Sequence, residues 1–192
     1  MMSNLTFDEE SHIYRVDGEI VPSVTQILKG AALTPPFRGG SGRAMTKGSY
    51  AHYATELDDK GELDEATVDP ANRGHLEAWR KFKIESGIKI LAIEERVYND
   101  MYRYAGTLDR RVMYQGWESV IDIKTGNSYP WHPIQTAAYA MALGKGVARF
   151  SVYLSDSGSY KLVEHTDKND QLVFMAAIRL ADWRSQNGIE EE

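Results

Sequence analysis

Residues 120–126 read VIDIKTG, and the stretch GTLD at 106–109 precedes them by one turn of chain. Side chains two apart on a strand share a face. Asp122 and Lys124 therefore point one way, and Ile121 and Ile123 the other. An unpaired charge inside a sheet is costly, so the polar face needs partners. If the segment 104–114 folds back on 118–125, Asp109 comes close to Asp122. Two carboxylates in close approach repel, and a divalent cation removes that repulsion. Hard oxygen ligands suit Mg²⁺ or Mn²⁺. A lysine beside such an ion can orient a metal-bound water or stabilise charge on a phosphate, the chemistry of metal-assisted hydrolysis. A plainer reading of the same charges is a cross-strand salt bridge, Asp109 to Lys124 or Asp122 to Arg110.

The elements that must position these groups follow from the periodicity. IYRVDGEIV (13–21) alternates around Asp17-Gly18, a two-residue hairpin signal. PSVTQILKG (22–30) starts a helix at Pro22 and Ser23 and ends it at Gly30. LTPPFRGGSGR (33–43) is a Gly- and Pro-rich loop. Helices are expected from about 44 to 60 and from about 70 to 86, the second with Leu76, Trp79 and Phe82 as an apolar stripe. Three strands follow, 89–99, 104–114 and 118–125, then a helix over 131–143 with Pro133 in its first turn. A hairpin of 148–155 and 159–165 precedes a last helix from about 168 to 186. This order implies one α/β (α+β) domain over residues 1–192, a central mixed sheet flanked by helices.

Composition narrows the function. The chain has 192 residues and no cysteine, which excludes disulfides, thiolate zinc sites, iron–sulfur clusters and a cysteine nucleophile. No apolar run approaches a membrane span, and no secretory leader is visible, so a cytoplasmic protein is expected. The formal net charge is −6. Nucleic acid would need a local basic patch, because the bulk charge opposes it. The acidic run 61–69 and the acidic tail read as solvated surface.

GTLD followed by IDIKTG resembles the PD-(D/E)XK nuclease superfamily, and within it the branch of the RecB nuclease domain, CRISPR-associated RecB-like exonucleases and phage exonucleases. KGSYAHYATE places His52 four residues after Gly48, as in that branch's Gly-x-x-x-His element. IEERV supplies Glu94 one strand ahead of GTLD. QTAAYA supplies Gln135-x-x-x-Tyr139 on the helix after the lysine strand, and VPSVTQIL is similar to an N-terminal stretch of phage-type members. The likeness runs from about residue 13 to 155.

The resemblance implies a restriction-endonuclease-like core and a Mg²⁺- or Mn²⁺-dependent DNA exonuclease of recombination, repair or phage DNA processing. It implies that His52, Asp109 and Asp122 ligate the metal with the backbone carbonyl of Ile123. Asp109, Asp122 and Lys124 would be catalytic. Glu94 is a further candidate ligand. Glu95 competes with it but shares a face with the apolar Ile93 and Val97. Gln135 and Tyr139 would touch the DNA backbone. The alternative is an inactive DNA-binding accessory module of the same fold.

Other DNA contacts are read from residue type. Arg38, Arg43 and Lys47 form a basic, Gly-rich approach to the His52 helix. Tyr102, Tyr104, Tyr129 and Trp131 are candidates to stack on unpaired bases. Arg73, Arg80, Lys81 and Lys83 read as solvated charge. The chain lacks a phosphate-binding loop of the Gly-x-x-x-x-Gly-Lys-Ser/Thr type. Processivity would then come from a homo-oligomer or a recombination partner protein.

Overall fold

The structure is a computed structural model that describes residues 4–34, 42–144 and 146–189, with the backbone alone for 42–47. Its first unit is a small antiparallel sheet of β1 (Leu5–Asp8), β2 (Ile13–Val16) and β3 (Glu19–Val21). Asp17 and Gly18 take φ of 51° and 88°, the paired left-handed conformation of the expected hairpin turn. β1 is an addition to the expected elements. Four residues with two apolar positions carry little signal alone, and its pairing comes from Phe7 against Tyr14 across the ladder, ring centroids 4.4 Å apart. Helix α1 (Val24–Gly30) starts on a capping box, Ser23 and Gln26 bonding each other's backbone N–H.

The main sheet has the order β4 (Lys89–Asn99), β5 (Tyr104–Tyr114), β6 (Trp117–Thr125), β7 (Ala148–Leu154), β8 (Tyr160–Glu164). β4, β5 and β6 form an antiparallel meander, and β7 pairs antiparallel with β8. β6 and β7 are parallel. A parallel pair needs a crossover, and α4 (His132–Leu143) supplies it. The remaining helices are α2 (Gly42–Lys60), α3 (Pro70–Ser86) and α5 (Asn169–Gln186). The sheet is thus mixed and flanked by helices, as expected, with element ends differing by a residue or two, the usual fraying range.

Both faces of the sheet are packed. Ile27 and Leu28 of α1, Ile134 and Ala138 of α4, and Phe174 and Ile178 of α5 share one core with Tyr104 and Val120. Trp79 and Phe82 of α3 share the other with Val112, Ile121, Ile123 and Val152. β6 is therefore buried on both sides, which explains its near-continuous Val-Ile-x-Ile run. Each fully buried aliphatic side chain there contributes about 1.5–3 kcal/mol. The strand that carries the polar pair is held by its apolar face.

The glycine of GTLD has a packing reason. A Cβ built on Gly106 would lie 2.8 Å from Tyr139 Cε1 and 3.1 Å from Val24 Cγ2. β5 can approach α1 and α4 only without a side chain there. Gly106→Ala is expected to destabilise the fold by about 1–3 kcal/mol through overpacking, read as a lower denaturant midpoint at unchanged m-value. A midpoint equal to that of the wild type would refute the contact.

Candidate metal centre

The ladder between β5 and β6 runs from Tyr114↔Trp117 to Arg110↔Ile121 and stops there. Beyond that pair the Ile123 N–H donates not to a backbone carbonyl but to Asp109 Oδ2, at 2.6 Å. A carboxylate fills the gap where two strands part, which places it at the sheet surface with a backbone donor fixing it. Its other oxygen, Oδ1, lies 3.6 Å from His52 Nδ1 on α2. Burial alone would raise the Asp109 pKa, but the His52 ring and the Lys124 ammonium prevail and hold it down at about 2. His52 is shifted the opposite way: burial pulls its pKa down, and the Asp109 carboxylate more than offsets that.

Glu94 completes a cluster from a third element. One ligand atom each from His52, Glu94 and Asp109 lies within 4.8 Å of the others. By register Glu94 stands between the pairs Ile93↔Arg110 and Glu95↔Leu108, and its φ is 48°. A left-handed non-glycine inside a strand costs of order 1–3 kcal/mol and persists only where its surroundings hold it. Glu95 turns elsewhere, to Arg111 Nε at 2.7 Å. Burial, with the nearby Asp109 charge, pushes the Glu94 carboxyl up to about 7.

Asp122 is buried and stands on Lys124, whose Nζ lies 2.9 Å from each carboxylate oxygen. Only Oδ1 has the geometry of a hydrogen bond; Oδ2 carries none. Burial raises the Asp122 pKa to about 6 against the pull of Lys124, with Asp109 adding to the rise. Lys124 also donates to Gln135 Oε1 at 3.0 Å, and Gln135 Nε2 to the Tyr139 hydroxyl at 3.2 Å. The Trp131 ring lies over the ammonium, 5.4 Å from Nζ to the ring centroid. Burial would lower the Lys124 pKa, but Asp122 and Asp109 outweigh it and the ammonium persists. Burial, next to Asp122 and Asp109, drives the Tyr139 pKa well above its usual value, so the phenol stays neutral.

The expected residues divide as follows. His52, Glu94 and Asp109 converge; Asp122 lies against Lys124 instead of within that group. The backbone of Ile123 is bound to Asp109 through its N–H. Gln135 and the buried Tyr139 continue the polar chain from Lys124. Trp131 is half-buried above Lys124. Arg38 and the side chains of Arg43 and Lys47 lie outside the described residues. Tyr104 is fully buried against Phe174 and donates to the Ala138 carbonyl, which corrects its reading as a base-stacking group. Arg80 and Lys83 are not solvated charges but pair with Asp58, Asp59 and Glu65. A network under the site was missed: Asp59 and Thr55 of α2 with Arg110 of β5. The spacing of 52, 55 and 59, one helix face, was the available signal.

The donors suit a hard divalent cation. They offer two carboxylates and an imidazole close together, and the neighbouring Asp122 has an oxygen with no hydrogen bond. Among solved structures, a protein from Eubacterium rectale that bears the name putative exonuclease has a TM-score of 0.57 at 12% identity, over 89% of this chain and 83% of that one. The two share a fold. SSO0001 is 16% identical over 86% of this chain and 75% of that chain, with a TM-score of 0.43. LHK-Exo, an alkaline exonuclease from Laribacter hongkongensis, is 11% identical over 86% and 92%, with a TM-score of 0.38. The latter two superpose too loosely to bear on the site. No family model matches the chain, and no curated protein matches it in sequence. Among the described residues no helix is long and apolar enough to cross a membrane.

Metal ligands must be deprotonated, so protons held by Glu94 near pH 7 and by Asp122 near pH 6 compete with the ion. Mn²⁺ affinity is expected to rise as pH increases from about 5.5 to 7.5 and to fall off in the reverse direction. Calorimetric titrations in buffers of different ionisation enthalpy should report net proton release at pH 6. Affinity that is flat across this range would contradict the assignment.

Proposed function

We propose that the chain is a divalent-metal-dependent nuclease that hydrolyses phosphodiester bonds of DNA, with Mg²⁺ or Mn²⁺ as its cofactor and exonuclease action as its mode. The observation that carries this reading is the convergence of His52, Glu94 and Asp109 from three elements, with Lys124 beside them on Asp122. The exonuclease name borne by the protein that shares the fold supports it.

His52, Glu94 and Asp109 would hold the ion, with Asp122 and the Ile123 carbonyl as the next candidates to join it. When bound, the ion supplies Lewis-acid polarisation of a phosphoryl oxygen and lowers the pKa of a water. The chain's own groups do the rest. Asp109 is kept ionised and aimed by the Ile123 N–H. Asp122 and Gln135 hold the Lys124 ammonium between them, so it meets a phosphate oxygen as a fixed cation and hydrogen-bond donor. Tyr139, kept neutral, donates or accepts at the end of that chain without adding charge. Trp131 screens Lys124 from water and offers a ring to an adjacent base.

Hydrolysis of end-labelled linear DNA with Mg²⁺ or Mn²⁺ tests the reading. Asp109→Asn and Lys124→Met should each lower the rate by about 100-fold or more. Chelation should abolish it, and a covalently closed circle should survive. Equal rates in all three proteins would overturn the reading. DNA retention with no cleavage by the wild type would favour the accessory module instead.

A further inference from the structure

Arg110 is fully buried, an uncommon place for a guanidinium unless every donor has work. Its Nε donates to Asp59 Oδ2 at 2.7 Å and its Nη2 to Thr55 Oγ1 at 3.4 Å. Nη1 donates to Glu94 Oε1 at 3.1 Å and to the backbone carbonyl of Asp109 at 2.6 Å. The guanidinium sits 5.6 Å from the Trp79 ring centroid. Asp59 is itself fixed, accepting from Trp79 Nε1 at 3.0 Å and from Lys83 Nζ at 2.5 Å. One planar cation thus touches the three elements that bring His52, Glu94 and Asp109 together. Thr55 and Asp59 lie three and seven positions after His52, so gripping them fixes the turn of α2 that carries His52.

We infer that Arg110 is the positioning residue of the metal centre, resting on the proposed metal-dependent reading: it locks α2, β4 and β5 in the arrangement that presents the three ligands, and fixes the Glu94 carboxylate through Oε1. Its role at Glu94 is specific. Glu94 has left-handed backbone within a strand, φ 48°. Released to ordinary strand geometry, its side chain would lose its fixed aim at Asp109. Arg110 holds Oε1 at 3.1 Å and so anchors the carboxylate against that release. A lysine at this position would lack the fork that reaches four acceptors on three elements.

Mn²⁺ titration by calorimetry and Mn²⁺ electron paramagnetic resonance, run on wild type, Arg110→Lys and Arg110→Met, tests this without any cleavage assay. Circular dichroism checks the fold of each. Arg110→Met should weaken Mn²⁺ binding by about 10–100-fold, the loss usual for residues that orient metal ligands, with Arg110→Lys in between. The double variant Arg110→Met/Asp59→Asn removes both buried charges and serves if Arg110→Met does not fold. Arg110→Lys, which keeps the charge, decides if neither does. Wild-type affinity in the folded variants would overturn this inference alone. Absence of Mn²⁺ binding by the wild type would overturn it together with the proposed function.

Discussion

The hydrogen bond from Ile123 N–H to Asp109 Oδ2 is the interaction on which the site depends. It exists because β5 and β6 stop pairing at Arg110↔Ile121. Left alone, the freed N–H would be an unsatisfied donor in a packed sheet, a cost of about 1–3 kcal/mol. The Asp109 carboxylate, one residue before the last paired position on β5, answers it, and a charged acceptor does so more strongly than a neutral one. The same carboxylate is then immobile and ionised, with its second oxygen turned to His52. Strand divergence thus creates a defect, and its repair creates an anionic anchor.

Around that anchor the charges fall into two sets on different supports. Lys124, Asp122, Gln135 and Tyr139 form a polar chain between β6 and α4. Arg110, Asp59, Trp79 and Lys83 form another between β5, α2 and α3. The first set leaves Asp122 Oδ2 without a hydrogen bond, and the second reaches out of itself, through Arg110, to Glu94 and the Asp109 carbonyl. His52, Glu94 and Asp109 lie where the two meet. The carboxyls of Glu94 and Asp122 carry upward shifts, to about 7 and about 6, while Asp109 is held near 2. Burial drives the first two up, and the His52 and Lys124 charges hold the third down, so neighbouring carboxyls differ in how readily they hold a proton.

Much of this was legible in the chain because strand periodicity is a strong rule. VIDIKTG alternates cleanly, so the common face of Asp122 and Lys124 follows. The illegible parts violate local rules or depend on distant chain. Alternation assumes β backbone at every residue, and Glu94 breaks that assumption. Arg110 sits on a face shared with Ile121, where pattern alone predicts an apolar residue. Its partner Asp59 is on a helix far earlier in the chain. Tyr104 is indistinguishable by type from a surface aromatic, and the packing of α4 and α5 over β5 buries it. The i, i+4 relation of Gln135 and Tyr139 is visible, but their link to Lys124 needs the α4 crossover.

Ile123 faces two environments at once. Its side chain is in the α3 core, and its amide is in the polar site. That amide is therefore a built-in reporter. Its proton is bound to a carboxylate, so its nuclear resonance frequency follows the charge on Asp109, while its solvent exchange follows the opening of the core behind it. A single backbone resonance would read electrostatics on one side of the sheet and packing on the other.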